Sequence, residues 1–398
     1  MREPTGGRSG AARVNAMAHE PFLLTPGPTQ VPDAVLEALA RPVIHHRSPE
    51  FKTLFGRVRM RLREVFATEN EVIVTTSSGT GAFESAIVNL LSPGEPVVAV
   101  SHGNFGERWQ KLAAAYGADV HPLSYAWGDE PKADDVAAAI RSSGAKVALF
   151  VHSETSTGVV SDVRSLAAAC TAEGAICAVD AISSLGAVPL DTDAWGIDVV
   201  VTGSQKALMC PPGLGFVSIS PRAREKAAGS TMPRFYFDWA RAEAQAEKDN
   251  TPFTPAVSTI VALDVALGLL LAEGLEHAFA RHVALGRACR AGVKAMGLEL
   301  YSPDDDRAAV LTAALTPEGV DAVALRLALR DRHGITIAGG HGDIVDRLFR
   351  LGHIGHVGIR EVELAFVALE TELAAVGVEL ELGASPVAAR AAYEAAVE

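Results

Sequence analysis

A chain of 398 residues, 48% hydrophobic and 21% charged, exceeds the size at which one core usually stops growing, so two packed domains are expected. Its 48 acidic against 35 basic residues give a formal charge of -13, which disfavours nucleic acid and anionic membranes as partners and leaves small molecules. Four scattered cysteines (Cys170, Cys177, Cys210 and Cys289) with no C-x-x-C pair exclude a disulfide framework and argue for a reducing cytoplasm, with each cysteine a small buried hydrophobe.

Residues 1–20 carry arginines but no apolar h-region, so they read as a disordered tail and not as a secretory signal, with Met17 as an alternative start. Residues 21–44 include LLTPGPTQVP, where proline favours an extended N-terminal arm. A helix is predicted from Ser48 to Thr68: Ser48 can cap it, Pro49 suits its first position, and Phe51, Leu54, Phe55, Val58, Leu62 and Val65 recur at helical spacing.

Strands and helices then alternate: EVIVTT before GAFESAIVNLL, VVAVSH before a helix near Gly106 to Tyr116, VALFVHSE before Val163 to Glu173, then AICAVDA and IDVVVTGS. Strands that are apolar at consecutive positions suit a parallel sheet covered by helices on both faces. Residues 45–272 therefore form a large α/β domain. The apolar segment Ala256 to Ala272 contains Asp264 and is too short to span a membrane, so it is a helix of the core. Residues 273–398 form a smaller α+β domain with helices at Leu275 to Met296, Val320 to His333 and Arg360 to Ala375, strand-like AVLTAAL and GITIAGG, and a final surface helix or frayed tail. The run Asp304-Asp305-Asp306 reads as a solvated turn.

Ligands of open α/β sheets bind beyond the carboxyl ends of the strands. After EVIVTT come Ser77, Ser78, Gly79, Thr80 and Gly81 at the start of a helix, either a phosphate cradle or an ordinary capped turn. AICAVD ends on Asp180, whose carboxylate is expected to be buried and partnered, or else to cap the loop that follows. VVVTGSQK ends on Lys206, poorly solvated and so a reactive amine, or else reaching out to solvent. Together the three supply what pyridoxal 5'-phosphate requires: a phosphate anchor, a partner for the pyridine nitrogen and an amine for a Schiff base.

With the string G-S-Q-K-A-L-x-x-P-P-G at Gly203 to Gly213, the chain resembles the class V aminotransferases of fold type I, in particular the alanine-glyoxylate, serine-glyoxylate and serine-pyruvate group, from about Pro21 to about Ala375. The resemblance implies a mostly parallel seven-stranded sheet with a smaller C-terminal α+β domain, and pyridoxal 5'-phosphate as cofactor. It implies that Lys206 forms the Schiff base, that Asp180 pairs with the pyridine nitrogen, and that Ser78, Gly79 and Thr80 hold the phosphate, with Gln205 nearby as a further cofactor contact. Phe105 stands where the family stacks an aromatic ring on the cofactor, and Thr155 where it places a hydroxyl. Thr251 and Thr254 match a stretch that in the family crosses a homodimer interface to the other subunit's phosphate, so the resemblance implies a homodimer. Arg350 matches the arginine that binds the substrate α-carboxylate, a task its guanidinium fork suits. Gly27 of the T-P-G-P arm and the backbone near His46 are expected to wall the substrate pocket.

His45, His46, His341, His353 and His356 lack the i, i+4 spacing of a helical zinc motif, so no metal site is expected. The implied reaction moves an amino group from a small L-amino acid, alanine or serine, to a 2-oxo acid such as glyoxylate or pyruvate. A lyase, an epimerase or another biosynthetic enzyme on the same scaffold is the alternative, because fold does not dictate reaction. A desulfurase is disfavoured, since Gln205 precedes the lysine and Cys289 lies inside a predicted helix.

Overall fold

The computed structural model describes residues 19–397, so the tail expected at residues 1–20 falls largely outside the described residues. Thirteen strands and thirteen α-helices are described. In chain order the strands are β1 (Phe22–Leu24), β2 (Val72–Thr75), β3 (Pro96–Ser101), β4 (Asp119–Ser124), β5 (Val147–Val151), β6 (Ser153–Glu154), β7 (Val159–Val160), β8 (Ile176–Asp180), β9 (Val199–Gly203), β10 (Gly215–Ile219), β11 (Leu311–Leu315), β12 (Ile335–Gly339) and β13 (Leu348–Gly352). The helices are α1 (Asp33–Leu39), α2 (Pro49–Phe66), α3 (Gly79–Leu90), α4 (Asn104–Ala115), α5 (Ala133–Ser143), α6 (Val163–Ala172), α7 (Pro221–Ala228), α8 (Trp239–Ala246), α9 (Val257–Glu273), α10 (Leu275–Ala295), α11 (Ala322–His333), α12 (Ile359–Ala375) and α13 (Ala384–Val397).

Seven strands form one sheet in the order β2-β10-β9-β8-β5-β3-β4. Only β10 runs antiparallel to its neighbours, and the remaining pairs are parallel. Because successive side chains point to opposite faces, each apolar strand feeds two cores at once. Val98, Ala148, Phe150, Val179 and Val200 pack with α2, α5, α6 and α9. Val97, Leu149, Ala178, Val199 and Val201 pack with α3, α4, α7 and α8 on the other side. Each fully buried valine, leucine or phenylalanine among them contributes about 1.5–3 kcal/mol relative to exposure.

A four-stranded sheet, β1-β12-β13-β11, lies beyond Gly274. Its first strand comes from the N-terminal segment and pairs in parallel with β12, so the start of the expected arm is part of this sheet. The chain reaches it through an 83° change of direction between α9 and α10, with Gly274 at φ +86°, a conformation that favours glycine.

α2 begins as its sequence dictates: Ser48 accepts a hydrogen bond from the Phe51 N–H and Pro49 opens the helix. Asp264 in the apolar α9 is explained by Arg57 and Arg61, which bind its carboxylate at 2.5 and 2.6 Å. No single helix among the described residues is long and apolar enough to cross a membrane.

The structure adds detail to two expectations. The acidic run at Asp304 to Asp306 is the exposed turn expected, and it is also a hub of ion pairs: Asp306 binds Arg287 and Arg290, and Asp304 pairs with Arg290 and Lys294. Of the two forms expected for the C-terminal segment, it takes the surface helix: Glu370 of α12 accepts from the Ser385 N–H and hydroxyl and so fixes the start of α13, which packs on α10 and α12.

Candidate active site

Three strand ends meet at a cavity of about 310 Å³ lined by Gly27, Ser78, Gly79, Thr80, Phe105, Arg108, Thr155, Asp180, Ile182, Ser183, Gln205 and Lys206, with Pro28 and Pro212. Of the residues singled out in the sequence, the chain itself brings these ten together: Gly27, Ser78, Gly79, Thr80, Phe105, Thr155, Asp180, Gln205 and Lys206 line the cavity, and Arg350 touches its wall.

The Lys206 amine donates to the Pro26 carbonyl at 2.7 Å. Burial lowers its pKa to about 8 against the opposing pull of Asp180, and Arg350 and Arg108 lower it further. Asp180, only 4% exposed, accepts from the Ile182 N–H at 2.8 Å. Burial pushes its carboxyl up to about 8, and nearby Glu154 adds to the rise, although Lys206 and Arg108 oppose it. Each of the two groups favours the other's charge, yet both are drawn towards neutrality. Desolvation outweighs their attraction, as expected where two ionisable groups share a poorly solvated site without direct pairing.

Ser78 caps α3, and the N–H groups of Gly79 and Thr80 belong to the first turn, which has no intrahelical acceptors for them. A side chain at Gly79 would collide with Ile182, so the backbone stays bare there. The Gln205 Oε1 atom is buried and has no hydrogen-bond partner. Gly27, at φ +149°, lies against Lys206, and a Cβ there would overlap the lysine's Nζ, Cε and Cδ.

Arg108 escaped the sequence reading. Its guanidinium stands 4.7 Å above the Phe105 ring and reaches the Thr80 hydroxyl at 3.4 Å. Glu154 was missed as well. Its carboxylate is fully buried and accepts from the N–H groups of Phe105, Gly106 and Ser156 and from the Ser156 hydroxyl, and burial raises its pKa despite these bonds. It thereby anchors the start of α4, the element that carries Phe105 and Arg108. The only sequence signal was its place in HSETSTG beside Thr155, whose hydroxyl meets Ser183 at 3.2 Å.

Arg350 on β13 is 6% exposed and has no carboxylate partner among the described residues. Its Nε donates to the Gly339 carbonyl at 2.7 Å, one terminal nitrogen donates to the Thr155 carbonyl, and the other meets His341 Nε2 at 3.0 Å. Burial lowers its pKa to about 10, so it remains a cation at neutral pH.

His46, Thr251 and Thr254 do not line this cavity. His46 lies beside His45 with the rings tilted at 40°, and the adjoining Arg47 donates to the Thr251 carbonyl at 2.8 Å. Thr251 and Thr254 lie in a separate shallow pocket with Thr76 and Tyr236. His353 is a core residue held by Thr312 and the Ala309 carbonyl. Among the described residues no three His, Cys, Asp or Glu side chains gather as a metal site.

These fittings suit a phosphorylated pyridine aldehyde. Bare N–H groups at a helix start suit its phosphate. An orphaned amide oxygen offers an acceptor, a buried carboxyl awaits a cation, and an amine drawn towards neutrality can react with a carbonyl.

The chain matches the family described as Aminotransferase class-V over residues 21–348. It is 42% identical to the "Soluble hydrogenase, small subunit" of Synechococcus sp. (strain PCC 6716), over 89% of this chain and 93% of that one. It is 36% identical to the L-aspartate--glyoxylate aminotransferase of Paracoccus denitrificans (strain Pd 1222), over 84% of this chain and 86% of that one. Among solved structures, ureidoglycine-glyoxylate aminotransferase from Bacillus subtilis superposes with a TM-score of 0.89 at 29% identity, covering 96% of this chain and 100% of that chain. With the fold, the strand-end chamber and these likenesses in agreement, the chain belongs to the class V aminotransferases, enzymes that depend on pyridoxal 5'-phosphate.

Proposed function

We propose that the enzyme moves the amino group of a small L-amino acid, alanine or serine, to glyoxylate or pyruvate, and that it works as a cytoplasmic homodimer. The observation that carries the chemistry is the meeting of Lys206, Asp180 and the Ser78 to Thr80 turn in one cavity. Glyoxylate as acceptor is supported by its appearance in the names of both the Paracoccus relative and the Bacillus structure.

When bound, pyridoxal 5'-phosphate supplies an aldehyde that links to amines and a ring that accepts the electron pair left when the α-proton departs. Gly79 and Thr80 N–H groups and the Ser78 and Thr80 hydroxyls would hold the phosphate, to which only the amide N–H end of Gln205 could add a donor. Phe105 would stack on the ring, and Thr155 would hold its edge. Asp180 would keep a proton on the pyridine nitrogen, and that cation would draw the Asp180 carboxyl back towards its ionised form. Lys206 Nζ would take the α-proton as general base and return it as general acid. Arg350 would bind the α-carboxylate of donor and acceptor, while Gly27 keeps the space beside Lys206 open.

We place His46, Thr251 and Thr254 near the subunit interface, with Thr254 turned towards the partner's cofactor phosphate and Thr251, whose hydroxyl donates to the Phe253 carbonyl, bracing that stretch from inside. Thr254 is exposed, and beside it Phe235 and Tyr236 are 68% and 42% exposed and cluster with Phe253. Such an aromatic surface suits burial against a second copy. We assign residues 21–44 to an arm, 45–272 to the large domain and 273–398 to the small domain, in keeping with the two sheets.

A panel of single amino acids, each offered with glyoxylate and then pyruvate to the cofactor-loaded enzyme, tests the substrate. Serine or alanine should give the fastest transfer, with glycine formed from glyoxylate. Fastest turnover with a bulky or dicarboxylic donor would contradict the small-donor reading.

A further inference from the structure

Arg350 is crossed by a residue that the reaction has not yet claimed. Arginine has five N–H donors and no acceptor. Three of the five are committed here: Nε to the Gly339 carbonyl, one terminal nitrogen to the Thr155 carbonyl, the other to His341 Nε2. One N–H remains on each terminal nitrogen, the number that a bidentate carboxylate takes. Since arginine can only donate, His341 Nε2 must be the acceptor, and the ring proton must reside on Nδ1. Burial lowers the pKa of His341 to about 4, and the charges facing the ring, Arg350 on β13 and Arg108 on α4, add to the fall. The ring also meets Phe105 edge-on, with centroids 6.0 Å apart. His341 therefore touches the carboxylate arginine on one side and the aromatic wall of the chamber on the other. It sits just past β12, in the Gly339-Gly340-His341-Gly342 turn, where Gly340 leaves no space for a Cβ beside the Ile344 carbonyl.

We propose that His341 is a positioning residue for substrate binding, which fixes the rotation of the Arg350 guanidinium so that its two uncommitted N–H groups present a fork to the substrate carboxylate. The inference rests on the assignment of Arg350 as the carboxylate residue. Loss of the acceptor frees the guanidinium to turn about its last bonds, so the cost falls on carboxylate affinity and not on proton transfer at Lys206. It falls equally on amino donor and oxo-acid acceptor, because both present the same carboxylate.

The test uses the cofactor-loaded enzyme with propionate as a non-reacting carboxylate probe, its dissociation constant read from the shift of the visible absorbance band. KM and kcat are measured beside it for the fastest donor of the panel. H341F keeps a ring against Phe105 but lacks an acceptor; H341Q restores one. H341F is expected to weaken propionate and raise KM for donor and acceptor alike by roughly tenfold, the order that one hydrogen bond to a charged group carries, with kcat little changed. H341Q is expected to recover most of the loss. In an R350K background H341F should add nothing, since the fork it orients is gone. If R350K itself leaves propionate binding and KM unchanged, the Arg350 assignment falls, and the proposal with it. If R350K weakens binding but H341F does not, or if H341F lowers kcat with KM intact, or if H341Q fails to rescue, the positioning role is overturned while the Arg350 assignment stands.

Discussion

Lys206 is held in a setting that makes its amine more reactive than an exposed lysine's. With a pKa lowered to about 8, the folded state holds the neutral amine over a range in which an exposed lysine is still protonated. Uptake of pyridoxal 5'-phosphate by the apoprotein should therefore quicken with pH, rising roughly ninefold from pH 7 to pH 9 as the neutral fraction grows from about a tenth to about nine tenths, and then level off. A rate still climbing through pH 10.5 would mean an unperturbed lysine. Gly27→Ala places a methyl group against that same side chain and adds strain at φ +149°. Activity should fall at least tenfold with the fold retained, as circular dichroism would show, because a displaced Lys206 cannot reach its target. The lysine, Asp180 and the Ser78 to Thr80 turn were legible in the sequence because each ends a strand, where the sheet must open to a ligand. Arg108 and Glu154 were not, since one lies within a helix and the other in a hairpin, and only packing turns them towards the cavity.

At the scale of elements, the buried network that locks α2 to the start of β2 is the clearest stability device. Glu71 binds Arg59 at 2.6 Å and Arg63 at 2.5 Å, and Arg59 also reaches Asp249. These partners hold the Glu71 carboxyl below its usual pKa even though burial pushes the other way. Folded-state affinity for the proton is thus reduced, so the contribution is present above the unfolded pKa and is lost as pH falls through the lower folded value. Glu71→Ala leaves Arg59 largely buried with Asp249 alone, and a loss of about 3 kcal/mol is expected, read as a drop in denaturant midpoint at pH 7. Helices and apolar strands were legible because their periods are strong: α2, α9 and the strands ending at Asp180 and Gly203 fall within a residue or two of their expected limits. β4, with a proline and polar residues at a sheet edge, carries no such period, and β10 follows a proline-rich loop that hides its reversal of direction. β13, which bears Arg350, is a five-residue strand whose partners are supplied only by the fold.

For the whole molecule, the N-terminal strand joins the C-terminal sheet, and the Arg350 contact to Thr155 ties that sheet to the hairpin beside the cofactor chamber. Neither link could be read from spacing, since one pairs Phe22 with Ile335 and the other spans residues 155 to 350. Should Thr254 serve the partner's site, an inactive Lys206→Ala chain and a Thr254→Asp chain will complement each other. Mixed dimers then contain one intact site, and random re-pairing should restore about a quarter of wild-type activity. No recovery on mixing two chains shown to exchange would place Thr254 outside the partner's site. The central claim, that this class V aminotransferase works through Lys206, is tested most directly by the visible spectrum of the cofactor-loaded protein. The wild-type band should shift when serine or alanine is added and return with glyoxylate, and Lys206→Ala should lose both the lysine-linked band and turnover. A Lys206→Ala protein that kept both would contradict the account.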